Sequence, residues 1–328
     1  MKDKSYRATP LGQLVGRYIR WCRNERGLSP ETIRAWEGML ARMSMTHAER
    51  LPGEITLDDL RVVIDLWADR EPRTRKNVTV AIRQFWKWAS EEGYVDVSPA
   101  IRLRYPKIPR RMPDLLPLRV DTQLLNVAEN VRDRLALAIL LDLGVRKSEL
   151  RGVRVRDLDV GRRTLTVFGK GQKERVLPVR GRLVLLAEEY LLTDLPEYTS
   201  IVDGERRRVR RRPEPDDYLL YPEWRKRGVV YKARPKEPKP SQTLHRWWYE
   251  HLHSAGLVEA DVERGMHMHR ARHTFATELR RESDLGVVQH MLGHEDIHTT
   301  EAYYGHYDLS DLERAMDAFA KSRNNDPN

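Results

Sequence analysis

Residues 266–307 read MHMHRARHTFATELRRESDLGVVQHMLGHEDIHTTEAYYGHY. The stretch contains the pair His269 and Arg272, the turn Leu292-Gly293-His294, and Tyr303, nine residues beyond that histidine. Ala271, Phe275, Ala276 and Leu279 recur at helical spacing, so positions 269 and 272 are neighbours on one helix and can converge on one anionic group. A second, short helix is expected from about Asp284, with Leu285, Val288 and Leu292 on its inner face. Gly293 then stands where a left-handed residue ends a helix, which leaves His294 just beyond that end. Thr299 and Thr300 are N-cap candidates for a following helix carrying Tyr303 and Tyr304.

These residue types suit one chemistry. A tyrosine hydroxyl can attack a phosphodiester if the phosphate charge is neutralised and the leaving oxygen is protonated. A guanidinium meets two phosphate oxygens with parallel hydrogen bonds, and a histidine can move a proton near neutral pH. Residues 141–150, LDLGVRKSEL, supply a second arginine, Arg146, with Glu149 three positions on. Residues 164–179, TLTVFGKGQKERVLPV, read as a β-hairpin with Lys170 in its Gly-Lys-Gly tip.

In order, Arg146, Lys170, His269, Arg272, His294 and Tyr303 form a pattern that resembles the tyrosine recombinases, or phage integrases, including the Xer-type proteins. Glu149 matches the acidic position of that family's ARxSEL box, here residues 145–150, and the resemblance runs from about Leu11 to the C-terminus. It implies a mainly α fold with a small β-hairpin or sheet: an N-terminal four-helix core-binding domain followed by an α+β catalytic domain. It also implies cleavage and rejoining of double-stranded DNA through a 3′-phosphotyrosyl link on Tyr303. Arg146 and Arg272 would clamp the phosphate, Lys170 would protonate the 5′-oxygen, His269 would move the other proton, His294 would support the phosphate and Glu149 would orient its neighbours. Such a link conserves bond energy, so neither ATP, metal nor another cofactor is expected. The resemblance further implies a homotetramer on two DNA sites, monomeric or weakly associated without DNA. Tyr304 is the rival nucleophile, and Lys147 and Lys173 are the rivals of Lys170.

The 328 residues suit two domains, and a formal net charge of +10 favours a polyanionic partner. The single cysteine, Cys22, allows no intramolecular disulfide and fits a reducing compartment as a core residue. The start, MKDKSYRATP, is polar, and the longest apolar run, residues 135–141, is too short to span a bilayer. The expectation is a soluble cytoplasmic protein without membrane contact, associated with the nucleoid when bound to DNA.

Along the chain, residues 1–10 read as a loose start. Four helices follow in a helical DNA-binding domain over residues 11–97: one from Leu11, one opened by Ser29-Pro30, one capped by Thr56 with Asp59, and one from Pro72. Arg73, Arg75, Lys76, Arg83 and Lys87 lie on or near the outer side of the fourth and are candidate DNA-backbone contacts. The proline- and arginine-rich residues 98–117 read as an extended linker. The catalytic domain, 118–328, opens with helices expected over 121–131 and 133–143; after the hairpin come helices over 182–192 and 243–257. The arginines at 206–208 and 210–212 form a run that could track phosphates or be a disordered solvated loop, and residues 218–221 could form a short strand. A terminal helix over 309–320 carries Leu312, Ala315, Met316 and Phe319 in one stripe. It could dock on its own domain, but the resemblance favours docking on a neighbouring protomer.

Other functions compete. The groups His267/His269/His273 and His290/His294/His298 could bind zinc in a metal-dependent hydrolase, though no cysteine is nearby. A type IB topoisomerase shares the tyrosine chemistry, and a catalytically dead DNA-binding protein would keep the fold alone. Within the recombinases, the short form suits integration and excision of a phage or mobile element, or Xer-type chromosome or plasmid dimer resolution. The length of residues 195–240 favours the former.

Overall fold

The computed structural model of the chain describes residues 5–108, 115–117, 119–169, 173–202, 205–226, 229–257, 266–293 and 309–324. Contacts divide the chain into two compact units, Met1–Arg111 and Met112–Asn328.

The first unit holds α1 (Pro10–Asn24), α2 (Pro30–Thr46), α3 (Leu57–Asp65) and α4 (Pro72–Glu91). Three of the four starts are set by caps readable in the sequence. The side chains of Thr9 and Ser29 accept from the amides of Gly12 and Thr32, with a proline next in each case. Thr56 and Asp59 form a reciprocal capping box at α3. The apolar stripes meet in one core around Tyr18, Phe85, Trp86 and Trp88, with the Tyr18 and Phe85 rings edge-to-face at 5.4 Å. Cys22 is part of that core.

The N-terminal segment differs from the loose start expected of it. Residues Ser5–Ala8 form a 3₁₀ turn, Tyr6 is buried, and its hydroxyl donates to Glu37 at 2.7 Å. A buried aromatic with a satisfied hydroxyl is enough to hold a short polar segment that has no period of its own. The expected linker also begins late, because Ala100 and Leu103 are buried in the first core.

The second unit is organised on α6 (Val131–Asp142), which is buried on nearly every side and lies between α5 (Val120–Val127), α8 (Arg182–Leu192) and α10 (Met268–Glu282). Helix α5 stops short of the expected residue 131 because the Asn130 side chain accepts from the Asp133 amide and starts α6 afresh. The buried charges of α6 are paired: Arg132 makes a bidentate contact with Glu223 over the Tyr221 ring, and Asp142 accepts two bonds from Arg182. After α7 (Lys147–Gly152) come β1 (Leu158–Asp159), β2 (Thr164–Phe168) and β3 (Glu174–Pro178), an antiparallel sheet of order β1-β2-β3 with Leu165 opposite Leu177.

Residues 195–240 form neither a strand at 218–221 nor a structureless loop. They contain β4 (Tyr198–Val202), β5 (Glu205–Val209), β6 (Glu223–Lys226) and β7 (Val229–Ala233), in a second sheet of order β5-β4-β7-β6. Tyr218 makes only an isolated bridge with Arg154, while Leu219, Leu220 and Tyr221 are buried in the main core. The arginine run is ordered by acidic partners: Arg207 with Glu205, Arg208 with Glu197, Arg210 with Asp194, and Arg211 with Asp217.

The unit is completed by α9 (Ser241–Ser254), α10, α11 (Leu285–Leu292) and α12 (Leu309–Asn324). In the single chain the stripe of α12 is seated on its own unit: Leu312, Ala315, Met316 and Phe319 are buried, and Phe319 meets Phe275 of α10 edge-to-face at 5.3 Å. Arg180 binds Glu313 and Asp317 on the same helix. In a single chain this face lowers its free energy by covering the nearest apolar surface. Among the described residues no helix is long and apolar enough to cross a membrane.

Candidate active site

The last turn of α11 is where the site is built. Gly293 ends the helix with φ 59°, the left-handed conformation expected of it, and exposes a row of helix-terminal carbonyls. Three guanidiniums take three successive ones. Arg175 Nε donates to Met291 O at 3.1 Å, Arg272 Nη2 to Leu292 O at 2.6 Å, and Arg146 Nη2 to Gly293 O at 2.9 Å. The negative end of the helix dipole favours cations there.

Each arginine has a second anchor. Arg272, on α10, donates through Nη1 to Gly144 O at 2.8 Å. Gly144 is required at that position: its φ is +58°, and a Cβ would fall 2.4 Å from the Phe275 ring. Arg146 is the N-cap of α7 and contacts Glu149 twice, through its amide at 2.7 Å and Nη1 at 2.8 Å. Arg175, on β3, grips the same carboxylate with Nη1 at 2.8 Å and Nη2 at 2.7 Å. Three guanidiniums against one carboxylate leave this cluster with a net charge of two positive, suited to an anionic group.

Arg175 has no place in the sequence pattern read above. The signal for it was present: Arg175 shares its side of β3 with buried Leu177, whereas Val176 faces solvent. An arginine on the inward face of a half-buried strand needs a buried anion, and Glu149 is that anion.

The electrostatics follow from these contacts. Burial pushes the Glu149 carboxyl up, but the hydrogen bonds from Arg175 and Arg146 outweigh it and hold the pKa at about 2. Burial and the nearby Arg146 charge lower Arg272 to about 10, so it remains a cation at neutral pH. His269 lies on α10 one turn before Arg272; partial burial and the charges of His273, Arg272 and Arg146 lower its pKa, which favours the neutral ring. It can therefore accept a proton.

The structure thus brings together Arg146, Glu149, His269 and Arg272. Lys170, His294, Tyr303 and Tyr304, with Thr299 and Thr300, lie outside the described residues. Gly169 and Gly293, which precede Lys170 and His294, both lie at the cluster: a Cβ on Gly169 would be 3.6 Å from Glu149 Oε1, and Gly293 O accepts from Arg146.

Known proteins match this arrangement. The profile of the phage integrase family matches residues 118–309. The chain belongs to that family. It is a tyrosine recombinase, an enzyme that breaks and rejoins DNA strands. Tyrosine recombinase XerC of Shewanella amazonensis is 29% identical over 295 residues, covering 88% of this chain and 89% of its own. In fold the recombinase is similar to the Tn1549 transposon integrase in complex with circular intermediate DNA (TM-score 0.64, 16% identity, 94% of this chain and 99% of that one). It is also similar to the lambda integrase tetramer bound to a Holliday junction (TM-score 0.63, 15% identity, 94% and 83%).

Two further groups of expected residues are placed in this recombinase. On α4, Arg73 and Lys76 are exposed and Arg75 is half-buried. Lys87 pairs with Glu91 at 3.5 Å, and Arg83 differs: its guanidinium donates to Leu103 O and lies 4.9 Å from the Tyr105 ring centroid, pinning the chain that leaves the helix. Among the described residues no group of three His, Cys, Asp or Glu side chains is placed to hold a metal ion; His294 and His298 lie outside them.

Proposed function

We propose that this tyrosine recombinase integrates and excises a phage or other mobile element at specific double-stranded DNA sites. Tyr303 attacks the scissile phosphorus, an Oη–P bond forms, and the P–O5′ bond breaks. His269 takes the phenolic proton and Lys170 supplies one to the departing 5′-oxygen. Arg146 and Arg272 bind the non-bridging oxygens and stabilise the charge that develops on them, His294 supports the same phosphate, and Glu149 orients Arg146. The reaction works as a homotetramer on two sites and needs no cofactor, and the protein is cytoplasmic. The single observation that carries the catalytic reading is the convergence of Arg146 and Arg272 on adjacent carbonyls of one turn, within a cluster of net positive charge.

The mobile-element role is favoured by the four-stranded insertion between α8 and α9 and by the fold shared with the Tn1549 integrase. The second reading, Xer-type dimer resolution, is favoured by the XerC relative, which aligns over most of both chains. Covalent trapping on a nicked duplex carrying the candidate attachment repeat tests the chemistry. Wild type and Tyr304→Phe form a detergent-stable protein–DNA species, and Tyr303→Phe binds without forming it; the reverse pattern moves the nucleophile to Tyr304. Excision of a segment between two direct repeats supports the mobile-element role. Activity only with a second recombinase, on a site that resolves dimers, supports the Xer role.

A further inference from the structure

We propose that Arg175 is a positioning residue of the strand-exchange reaction, locking the lysine-bearing hairpin, the Arg146–Glu149 pair and the end of α11 into one rigid unit. The inference rests on the catalytic reading above and deepens it.

The geometry is that of a clamp. Arg175 spends Nε, Nη1 and Nη2 on Met291 O and the two Glu149 oxygens, and its side chain is 10% exposed. Among the described residues, unlike Arg146 and Arg272, it has its Nε engaged as well as both Nη atoms, so it acts through what it holds. Glu149 is fully buried, and its Oε1 is shared between Arg146 and Arg175 at 2.8 Å each. The carboxylate therefore sits at a fixed point between two arginines, and that point sets where the Arg146 guanidinium lies.

Arg175 also belongs to β3, opposite Val167 of β2, so the two strands that flank Lys170 in sequence are bolted to the same carboxylate. Its third bond ties the strand to α11 one turn before His294. Gly293 leaves room for this: a Cβ there would lie 3.0 Å from Arg175 Nη1. The Arg146–Glu149 pair, the β2–β3 strands and the end of α11 thus share one bolt, and the planar fork of arginine is the side chain that reaches three acceptors in fixed directions. The charged groups facing Glu149 are Arg146 of α7, Arg175 of β3 and Arg272 of α10.

The test compares Arg175→Lys and Arg175→Met with wild type in the full chain. Lysine keeps the charge but cannot hold three acceptors at once. On the nicked duplex, adduct formation at saturating protein falls about 10²-fold, the cost of a small misplacement at a reacting centre, while DNA affinity stays within about threefold. In Arg175→Met the acid limb of the pH–rate profile moves to higher pH, because Glu149 loses its strongest hydrogen-bonding partner. Without DNA, amide exchange at residues 290–293 quickens in both variants, a readout independent of any substrate. If Arg175→Met does not fold, Arg175→Lys carries the test. Adduct formation within about twofold of wild type, or unchanged exchange at 290–293, overturns the proposal, as does a rate loss matched by an equal loss of binding and melting temperature. Absence of adduct with wild type counts against the catalytic reading, while the exchange measurement still decides the role of Arg175.

Discussion

Arg272 and Arg146 are anchored on consecutive carbonyls of the same turn, Leu292 O at 2.6 Å and Gly293 O at 2.9 Å. The two arginines come from helices far apart in sequence, yet their spacing is fixed by a single peptide unit. A phosphate held between them is therefore held at a defined place.

That relationship makes Arg272 intolerant of conservative change. Arg272→Lys loses the simultaneous bonds to Gly144 O and Leu292 O, and the expected result is a loss of about 10²–10³ in cleavage rate, typical of losing a preorganised donor to transition-state charge, with DNA affinity within about threefold. Single-turnover cleavage alongside gel-shift titration measures both. Cleavage within threefold of wild type would remove Arg272 from the clamp.

The Glu149 carboxyl gives the catalytic unit a specific acid sensitivity. Its folded pKa of about 2 lies below the ordinary glutamate value, so its stabilisation is fully present above about pH 4.5 and is lost as pH falls towards 2. The magnitude is on the order of 3 kcal/mol for a shift of this size. Urea unfolding followed between pH 6 and 2.5 should show a shallower acid loss in Glu149→Gln than in wild type, from a lower starting stability. Parallel curves would mean that the ion network contributes little.

The seating of α12 on its own unit changes what truncation should do. Removing residues 308–328 uncovers the ring of Phe275 and leaves the partners of Phe319, Met316 and Leu312 in water. Phe319→Ala alone should cost about 3–5 kcal/mol, and the truncated chain should melt well below wild type. Calorimetry checks it. A truncated chain that melts like wild type and fails only at pairing two DNA sites would instead place the function of this helix on a neighbouring protomer.

The arginine run in and after β5 should add little to DNA binding. Arg207, Arg208, Arg210 and Arg211 each face a carboxylate, so their charge is already answered locally. If the whole protein neutralises about 8 phosphates, the log–log salt slope of affinity is roughly −7, and Arg207→Gln with Arg208→Gln should alter it by less than about 1. A drop of about 2 would show that DNA displaces those carboxylates.

The sequence alone determined the elements whose signals are local. Ser29-Pro30, Thr56 with Asp59, and Gly293 each satisfy orphan backbone groups within a few residues, so helix ends at those places were legible. The stripe of α12 and the HxxR spacing on α10 were legible for the same reason. Which residues share a carboxylate was a different matter. The Arg175–Glu149 clamp spans 26 residues and the Arg146–Gly293 bond 147, and no local period encodes either. The arginine run shows the limit from the other side: composition alone allowed a phosphate track or a solvated loop, and only the tertiary structure, which pairs β5 with β4 and sets Arg208 beside Glu197 and Arg211 beside Asp217, decided that it begins in a sheet edge with those charges answered. The seat of α12 was likewise decided by the shape of α10 and β3, because an apolar stripe specifies that it must be covered but not by what.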